Sequence, residues 1–350
     1  MITEAVFLDR NENNYGPAPA CYEVLRTAGI DALSRYSKDS LRGVKSLLTE
    51  RLARDFGIPE PRIHLGYGSE DILKQAVQCY LRPGEALLIP SHSWWYYKSI
   101  AAERNGRTFE YAMVPGEDAF HYDVEGLLRL ARDERPRLVL ISSPNNPTGN
   151  SLGNGDLGRV IRELKDTIII LDQAYWGFGG AGAAPLRDLI EEHPRLIILR
   201  TFSKYYALAG IRVGFAFLGA GLDELVRAGS RYLGYSRVSE RIALAALDSG
   251  DYYEEIGRRM IADKETIRLA FNRIPGFKVY RSDANFLLAD VPPAHKGALQ
   301  AELDGSGLFI KFFKNEAFLD NSVRITLGTR EQNQRLIEAV TSFARARGLL

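Results

Sequence analysis

Residues 196–219 read LIILRTFSKYYALAGIRVGFAFLG. Two apolar runs, LIIL at 196–199 and GFAFLG at 214–219, flank a polar cluster of Thr201, Ser203, Lys204 and Arg212. The runs are apolar on consecutive positions, the pattern of strands buried on both faces. A lysine beside two hydroxyls, with an arginine eight residues on, suggests an anion held next to an amine.

Runs of the same type recur on either side of this stretch. They are ALLIP at 86–90, RLVLIS at 137–142 and TIIILD at 167–172. Segments with helical spacing, such as Glu70–Leu81 and Leu157–Leu164, lie between them. This alternation predicts an α/β fold with a mainly parallel central sheet and helices on both faces. In such sheets ligands sit beyond the carboxyl ends of the strands. The residues just after each run are therefore the candidates for chemistry.

Those residues are polar and varied. SPNNPTG (143–149) follows RLVLIS, and DQAYWGFG begins at Asp172. GYGSED (66–71) follows RIHL and opens a helix, with Ser69 as the expected cap. A helix start of this kind presents free N–H groups and suits a phosphate. Each feature alone has an ordinary reading: a turn, a cap, a surface lysine. Jointly they meet the needs of pyridoxal phosphate, whose ring is the electron sink for carbanion chemistry. A buried Asp keeps a pyridine nitrogen protonated, and a Lys forms a Schiff base. Tyr and Asn hydrogen-bond a phenolate oxygen. Hydroxyls, an Arg and a helix start hold a phosphate monoester.

On these motifs the chain resembles fold-type I pyridoxal-phosphate enzymes of the class I/II aminotransferases, most closely the histidinol-phosphate aminotransferases. The resemblance runs through NENNYGPAP (11–19), RYSKDSLRGVKSLLTERL (35–52), GYGSEDIL, SPNNPTG, DQAY, TFSKYYALAGIRVGF, DANFLL (283–288) and RITLGTREQN (324–333). It implies a large cofactor-binding domain over residues 30–245. A smaller α/β domain over 246–350 would be joined by an N-terminal arm, residues 1–29. By position, Lys204 resembles the lysine that carries the cofactor and moves protons, and Asp172 the partner of the pyridine nitrogen. Tyr175 and Asn146 correspond to the ligands of the phenolate oxygen. Ser69, Glu70, Thr201, Ser203 and Arg212 correspond to the phosphate site. Trp94 aligns with the aromatic that stacks on the ring. Tyr36 resembles the tyrosine that reaches the partner subunit's phosphate in a homodimer. Arg324 resembles the arginine that grips the substrate carboxylate, and Tyr15 and Asn285 fall at substrate-side positions. Substrate binding would then close the cleft between Lys204 and Arg324.

Three departures bear on specificity. Asn14 replaces the usual proline, Gln173 replaces the usual glutamate after Asp172, and Lys311 stands where histidinol-phosphate enzymes carry an arginine. A lysine meets a phosphate as a point charge, without the planar fork of arginine. Four aromatics, Trp94 to Tyr97, run together near the expected site. Tryptophan accepts aromatic, apolar and cationic groups. The expected reaction moves an amino group from an amino acid, or histidinol phosphate, to a 2-oxo acid. The alternative on the same scaffold is a decarboxylase or an eliminating or cyclising enzyme.

Composition excludes other classes. The formal net charge of the 350 residues is +1, which gives no electrostatic footprint for nucleic acid. No stretch approaches the roughly 20 apolar residues of a membrane span, and the first residues, with Glu4 and Asp9, lack a secretory core. Two cysteines, Cys21 and Cys79, make neither a disulfide framework nor a metal site. The expectation is a cytoplasmic enzyme with no resident metal.

Overall fold

The runs read as buried strands assemble into one seven-stranded sheet. The computed structural model describes residues 5–38, 45–179, 186–314, 316 and 319–350. Residues 39–44 of the 35–52 motif, and 315, 317 and 318 beside Lys311, lie outside the described residues. The strand order is Ile63–Gly66, Gly214–Leu218, Leu196–Thr201, Ile168–Asp172, Leu138–Ser142, Ala86–Pro90 and Arg107–Tyr111. Every neighbouring pair is parallel except those made by Gly214–Leu218, which is antiparallel to both its neighbours. The carboxyl ends of the other six strands therefore share one rim.

Side-chain alternation splits each strand between two apolar layers. Leu88, Ile141, Leu171 and Ile198 join one core cluster, and Leu87, Leu140, Ile170 and Ile197 the other. All are at most 3 % exposed. Burial of such a side chain contributes about 1.5–3 kcal/mol each, which is why consecutive apolar residues, and not alternating ones, mark these strands. The edge strand Arg107–Tyr111 covers only one face, and Arg107 and Glu110 are exposed. That polar pattern hid it from the sequence reading.

A second sheet of five strands uses both ends of the chain. Its order is Val6–Leu8, Leu308–Phe312, Ser322–Thr326, Phe286–Asp290 and Lys278–Val279. The helices Gly250–Asn272, Pro293–Gly305 and Arg330–Ala346 share its core through Met260, Leu303 and Leu336. The last helix opens with a capping box between Thr329 and Gln332. Val6–Leu8 pairs in parallel with Leu308–Ile310. This pairing delivers the next residues, Asp9 to Glu12, to the rim of the large sheet.

Side chains tie the two sheets together. Lys264, 7 % exposed, donates to the carbonyls of Phe178, Ser282 and Ala284 at 3.1, 2.8 and 3.1 Å. Asn13 Nδ2 donates to the Tyr205 carbonyl at 3.0 Å. Among the described residues no helix is long and apolar enough to cross a membrane.

Candidate active site

Lys204, Asp172 and Arg324 open onto one cleft of about 710 Å³ between the two sheets. Ser69, Glu70, Trp94, Asn146, Tyr175, Thr201, Ser203, Arg212 and Lys311 line it with them. Topology is the cause. Asp172 and Thr201 end parallel strands, Asn146 follows one, Ser69 begins the helix after another, and Arg324 reaches in from the second sheet.

The Lys204 Nζ donates to the Arg10 carbonyl at 3.3 Å and stands 5.7 Å from the centre of the Tyr175 ring. Burial lowers its pKa to about 8, with Arg324 and Arg212 adding to the effect and Glu12 opposing it. An amine shifted this far holds a far larger neutral fraction near physiological pH than an ordinary lysine, and that neutral fraction is what a nucleophile or proton carrier uses.

Asp172 is 5 % exposed. One carboxylate oxygen accepts the Ala174 N–H at 2.9 Å and the other accepts the Tyr97 hydroxyl at 2.9 Å. Burial raises the carboxyl above its usual range, and these two donors pull it back. Tyr175, also buried, accepts at its hydroxyl from Asn11 Nδ2 at 2.9 Å. Arg324 donates to Asn146 Oδ1 at 2.5 Å and to the Asp9 carbonyl at 2.6 Å, while its buried Nε has no partner among the described residues. Lys311 is its cross-strand neighbour.

At the other end of the cleft the helix Ser69–Tyr80 begins without a side-chain cap. The expectation of Ser69 as cap is corrected here: Gly68, at φ +84°, takes the cap position and Ser69 is the first helical residue. The first N–H groups are left to face the cleft. A Cβ on Gly68 would stand 2.6 Å from Arg212 Nη2, and one on Gly214 would stand 2.2 Å from the Ser69 nitrogen. Arg212 is held by the Tyr67 and Ala209 carbonyls at 3.3 and 3.2 Å, and Glu70 lies 3.8 Å away. The Thr201 hydroxyl accepts the Ser203 N–H at 3.0 Å and lies 2.9 Å from the Ser203 hydroxyl. N–H groups, two hydroxyls and a guanidinium thus converge on one small volume, a donor set for a phosphate.

Three expected site residues fall outside the lining. Asn285 is fully buried and donates to the Asn11 and Glu12 carbonyls at 3.1 and 3.2 Å, so it supports the wall from behind. The Tyr15 hydroxyl donates to Asp263 at 3.3 Å. Tyr36 is 66 % exposed on the outer surface. In turn, the cleft uses residues that the sequence reading missed: Tyr97, and the segment Asp9–Glu12. Tyr97 had a signal, since it stands three residues after Trp94, and a turn closed by its N–H on the Trp94 carbonyl at 3.1 Å leads into the helix Tyr96–Ala102. Asp9 and Arg10 act through backbone carbonyls, which no residue type announces. Among the described residues no group of three or more His, Cys, Asp or Glu side chains is arranged to hold a metal ion.

Known proteins share this architecture. The family model for aminotransferase class I and II matches residues 4–340. A histidinol-phosphate aminotransferase of Roseiflexus castenholzii is 31% identical, with 98% of this chain and 91% of that protein covered. Histidinol-phosphate aminotransferase 2 of Thiobacillus denitrificans is 32% identical, with 98% and 92% covered. Among solved structures, the histidinol-phosphate aminotransferase of Sinorhizobium meliloti in complex with pyridoxal-5'-phosphate superimposes with a TM-score of 0.86 at 25% identity, covering 98% of this chain and 92% of that one. By the length of these matches, the chain belongs to the class I and II aminotransferase family.

Proposed function

We propose that this enzyme binds pyridoxal phosphate at Lys204 and moves an amino group from an amino acid, or histidinol phosphate, to a 2-oxo acid such as 2-oxoglutarate. The carrying observation is that a buried lysine of lowered pKa, a buried carboxylate and an uncapped helix start with an arginine share one cleft. The fit to the cofactor is supported by the cradle at Gly68 and Gly214, where a Cβ would run into the Arg212 guanidinium and into the backbone of Gly68 and Ser69 respectively. Ser69, Glu70, Thr201, Ser203 and Arg212 would hold the phosphate, Asp172 the ring nitrogen, and Asn146 and Tyr175 the ring oxygen. Trp94 would cover a ring face. When bound, the cofactor supplies an electron sink next to the substrate Cα. The Lys204 amine takes the Cα proton and returns it. The Arg324 guanidinium orients the substrate through its anionic group, beside Asn146. The lining of Asp9 to Glu12 excludes water from one side of the cleft.

Trp95, Phe313, Lys311 and Glu316 line the outer part of the cleft. An aromatic or long basic donor side chain suits them better than a phosphate suits Lys311 alone. A homodimer belongs to the same reading. Ile30 and Leu33 are each 81 % exposed, Tyr36 66 % and Tyr232 72 %. Next to Tyr232, Arg231 stands 5.7 Å from the centre of the Tyr67 ring, and the Tyr67 carbonyl holds Arg212 of the proposed phosphate site. Tyr36 would reach the partner's cofactor from there. The division into a domain over 30–245 and a smaller one over 246–350 with the arm follows the two sheets. The free thiols Cys21 and Cys79 suit a reducing cytoplasm.

A half-reaction screen tests the assignment. Cofactor-loaded protein is mixed with histidinol phosphate, aromatic amino acids, arginine and lysine, and the visible absorbance of the cofactor is followed with product masses. A keto product from an aromatic or basic donor is expected. Histidinol phosphate reacting far faster than every other donor would overturn the donor proposal, and carbon dioxide in place of a keto product would overturn transamination.

A further inference from the structure

We infer that Tyr97 is a positioning residue for Asp172: its hydroxyl keeps the buried carboxylate ionised and fixes its plane at the rim of the sheet. The inference rests on the proposed role of Asp172 toward the cofactor ring. Tyr97, 2 % exposed, comes from the helix Tyr96–Ala102, while Asp172 ends a central strand. Its phenol oxygen is 2.9 Å from Asp172 Oδ2 and 3.3 Å from Ser142 Oγ. One hydroxyl proton serves only one of them. The carboxylate is nearer and charged, so it takes the proton, and the Ser142 hydroxyl is left to donate to the Tyr97 oxygen. Ser142 faces Asp172 in register on the adjacent strand. The result is a chain of donors, Ser142 to Tyr97 to Asp172, in which each bond strengthens the next.

The other carboxylate oxygen takes the Ala174 N–H. Asp172 is therefore gripped from three elements: the neighbouring strand, the following turn and the helix of Tyr97. The ionisable groups facing it from these are Tyr97 itself and Tyr175 on the turn, both neutral phenols at physiological pH. Burial works against the charge, and Tyr97 and the Ala174 amide oppose it. A protonated Asp172 would no longer accept a proton-bearing ring nitrogen as a counter-ion, so the hydroxyl of Tyr97 sets the acid limit of the site.

Tyr97→Phe keeps the ring against Trp94, whose centre is 5.7 Å away, and removes one O–H. The first readout is the protein without cofactor. The infrared carbonyl band of protonated Asp172, assigned by its absence in Asp172→Asn, should titrate about one to two pH units higher in the variant, the scale of a lost charge-assisted hydrogen bond. In the holoenzyme the acid limb of the kcat profile should move up by the same amount, with KM for the donor little changed. Ser142→Ala should shift both in the same direction by less, and it carries the test where Tyr97→Phe fails to fold. Titration and acid limb unmoved in the folded variants would overturn the inference. A wild-type protein that takes up no pyridoxal phosphate would defeat the functional proposal instead, and the infrared titration would still decide the role of Tyr97.

Discussion

Gly68→Ala tests the anion cradle at its tightest point. Gly68 has φ +84° and ψ 165°, a region open almost only to glycine. Holding alanine there costs about 1–3 kcal/mol, to be read as a lower melting temperature of the protein without cofactor. The added Cβ would stand 2.6 Å from Arg212 Nη2, inside van der Waals contact. The end of an arginine side chain can move, so the guanidinium swings away and gives up its place over the helix start. A hydrogen bond from a charged donor contributes about 1.5–3 kcal/mol, so pyridoxal phosphate should bind about 10- to 150-fold more weakly. Pyridoxal, which lacks the phosphate, is the internal control, and its affinity should change by less than about threefold, under 0.7 kcal/mol. Both are measured by titrating the visible absorbance at fixed pH and salt. Equal weakening for the two ligands, or none for either, would refute the placement of the phosphate at Gly68 and Arg212.

Two further outcomes are expected. Loading of the cofactor-free protein with pyridoxal phosphate should speed up as pH rises and level off above about 8, where Lys204 loses its proton; continued acceleration toward the 10.5 of an ordinary lysine would contradict the buried site. The sign follows from the shift: the folded pKa of Lys204 lies below that of the unfolded chain, so its contribution to stability increases with pH between about 8 and 10.5. Gln173→Glu should raise the melting temperature by a few degrees near neutral pH. Arg200 is 2 % exposed, stacks on Trp176 at 3.8 Å and bonds Gln173 through Nε at 3.0 Å, yet its Nη1 and Nη2 have no partner among the described residues. A carboxylate there supplies the missing counter-ion, worth about 1–3 kcal/mol, and the gain should vanish as pH falls through the glutamate pKa; a lower melting temperature at neutral pH would contradict it.

Much of this site is legible in the sequence because side-chain chemistry and strand ends coincide there. An apolar run followed by Asp172, or by Thr201 and Lys204, marks both the sheet and its rim. What stayed hidden depends on the chain folding back over a distance. The strand Val6–Leu8 carries only three residues, and its role emerges only when it pairs with Leu308–Ile310. Asp9 and Arg10 then meet Arg324 and Lys204 through carbonyls. Asn285 has the residue type of a substrate contact, but its amide nitrogen donates to the backbone of that same segment, while its Oδ1 has no partner among the described residues. Ser69 looks like a cap by composition, whereas the glycine before it reaches a backbone conformation that leaves the helix start open. Tyr97 was overshadowed by Trp94 in a run of four aromatics, although only its hydroxyl reaches Asp172.

The central claim is that Lys204 is the lysine that carries the cofactor. Pyridoxal phosphate-loaded protein is reduced with borohydride, digested, and its peptides are weighed. The account predicts one modified peptide, the one containing Lys204, and no stable label in Lys204→Ala, which should still bind the cofactor reversibly through the separate phosphate site. Lys264 is a second buried lysine whose pKa burial lowers to about 8, but its nitrogen is held by three carbonyls outside the cleft. Label on Lys264 or any other lysine, with Lys204 unmodified, would contradict the account.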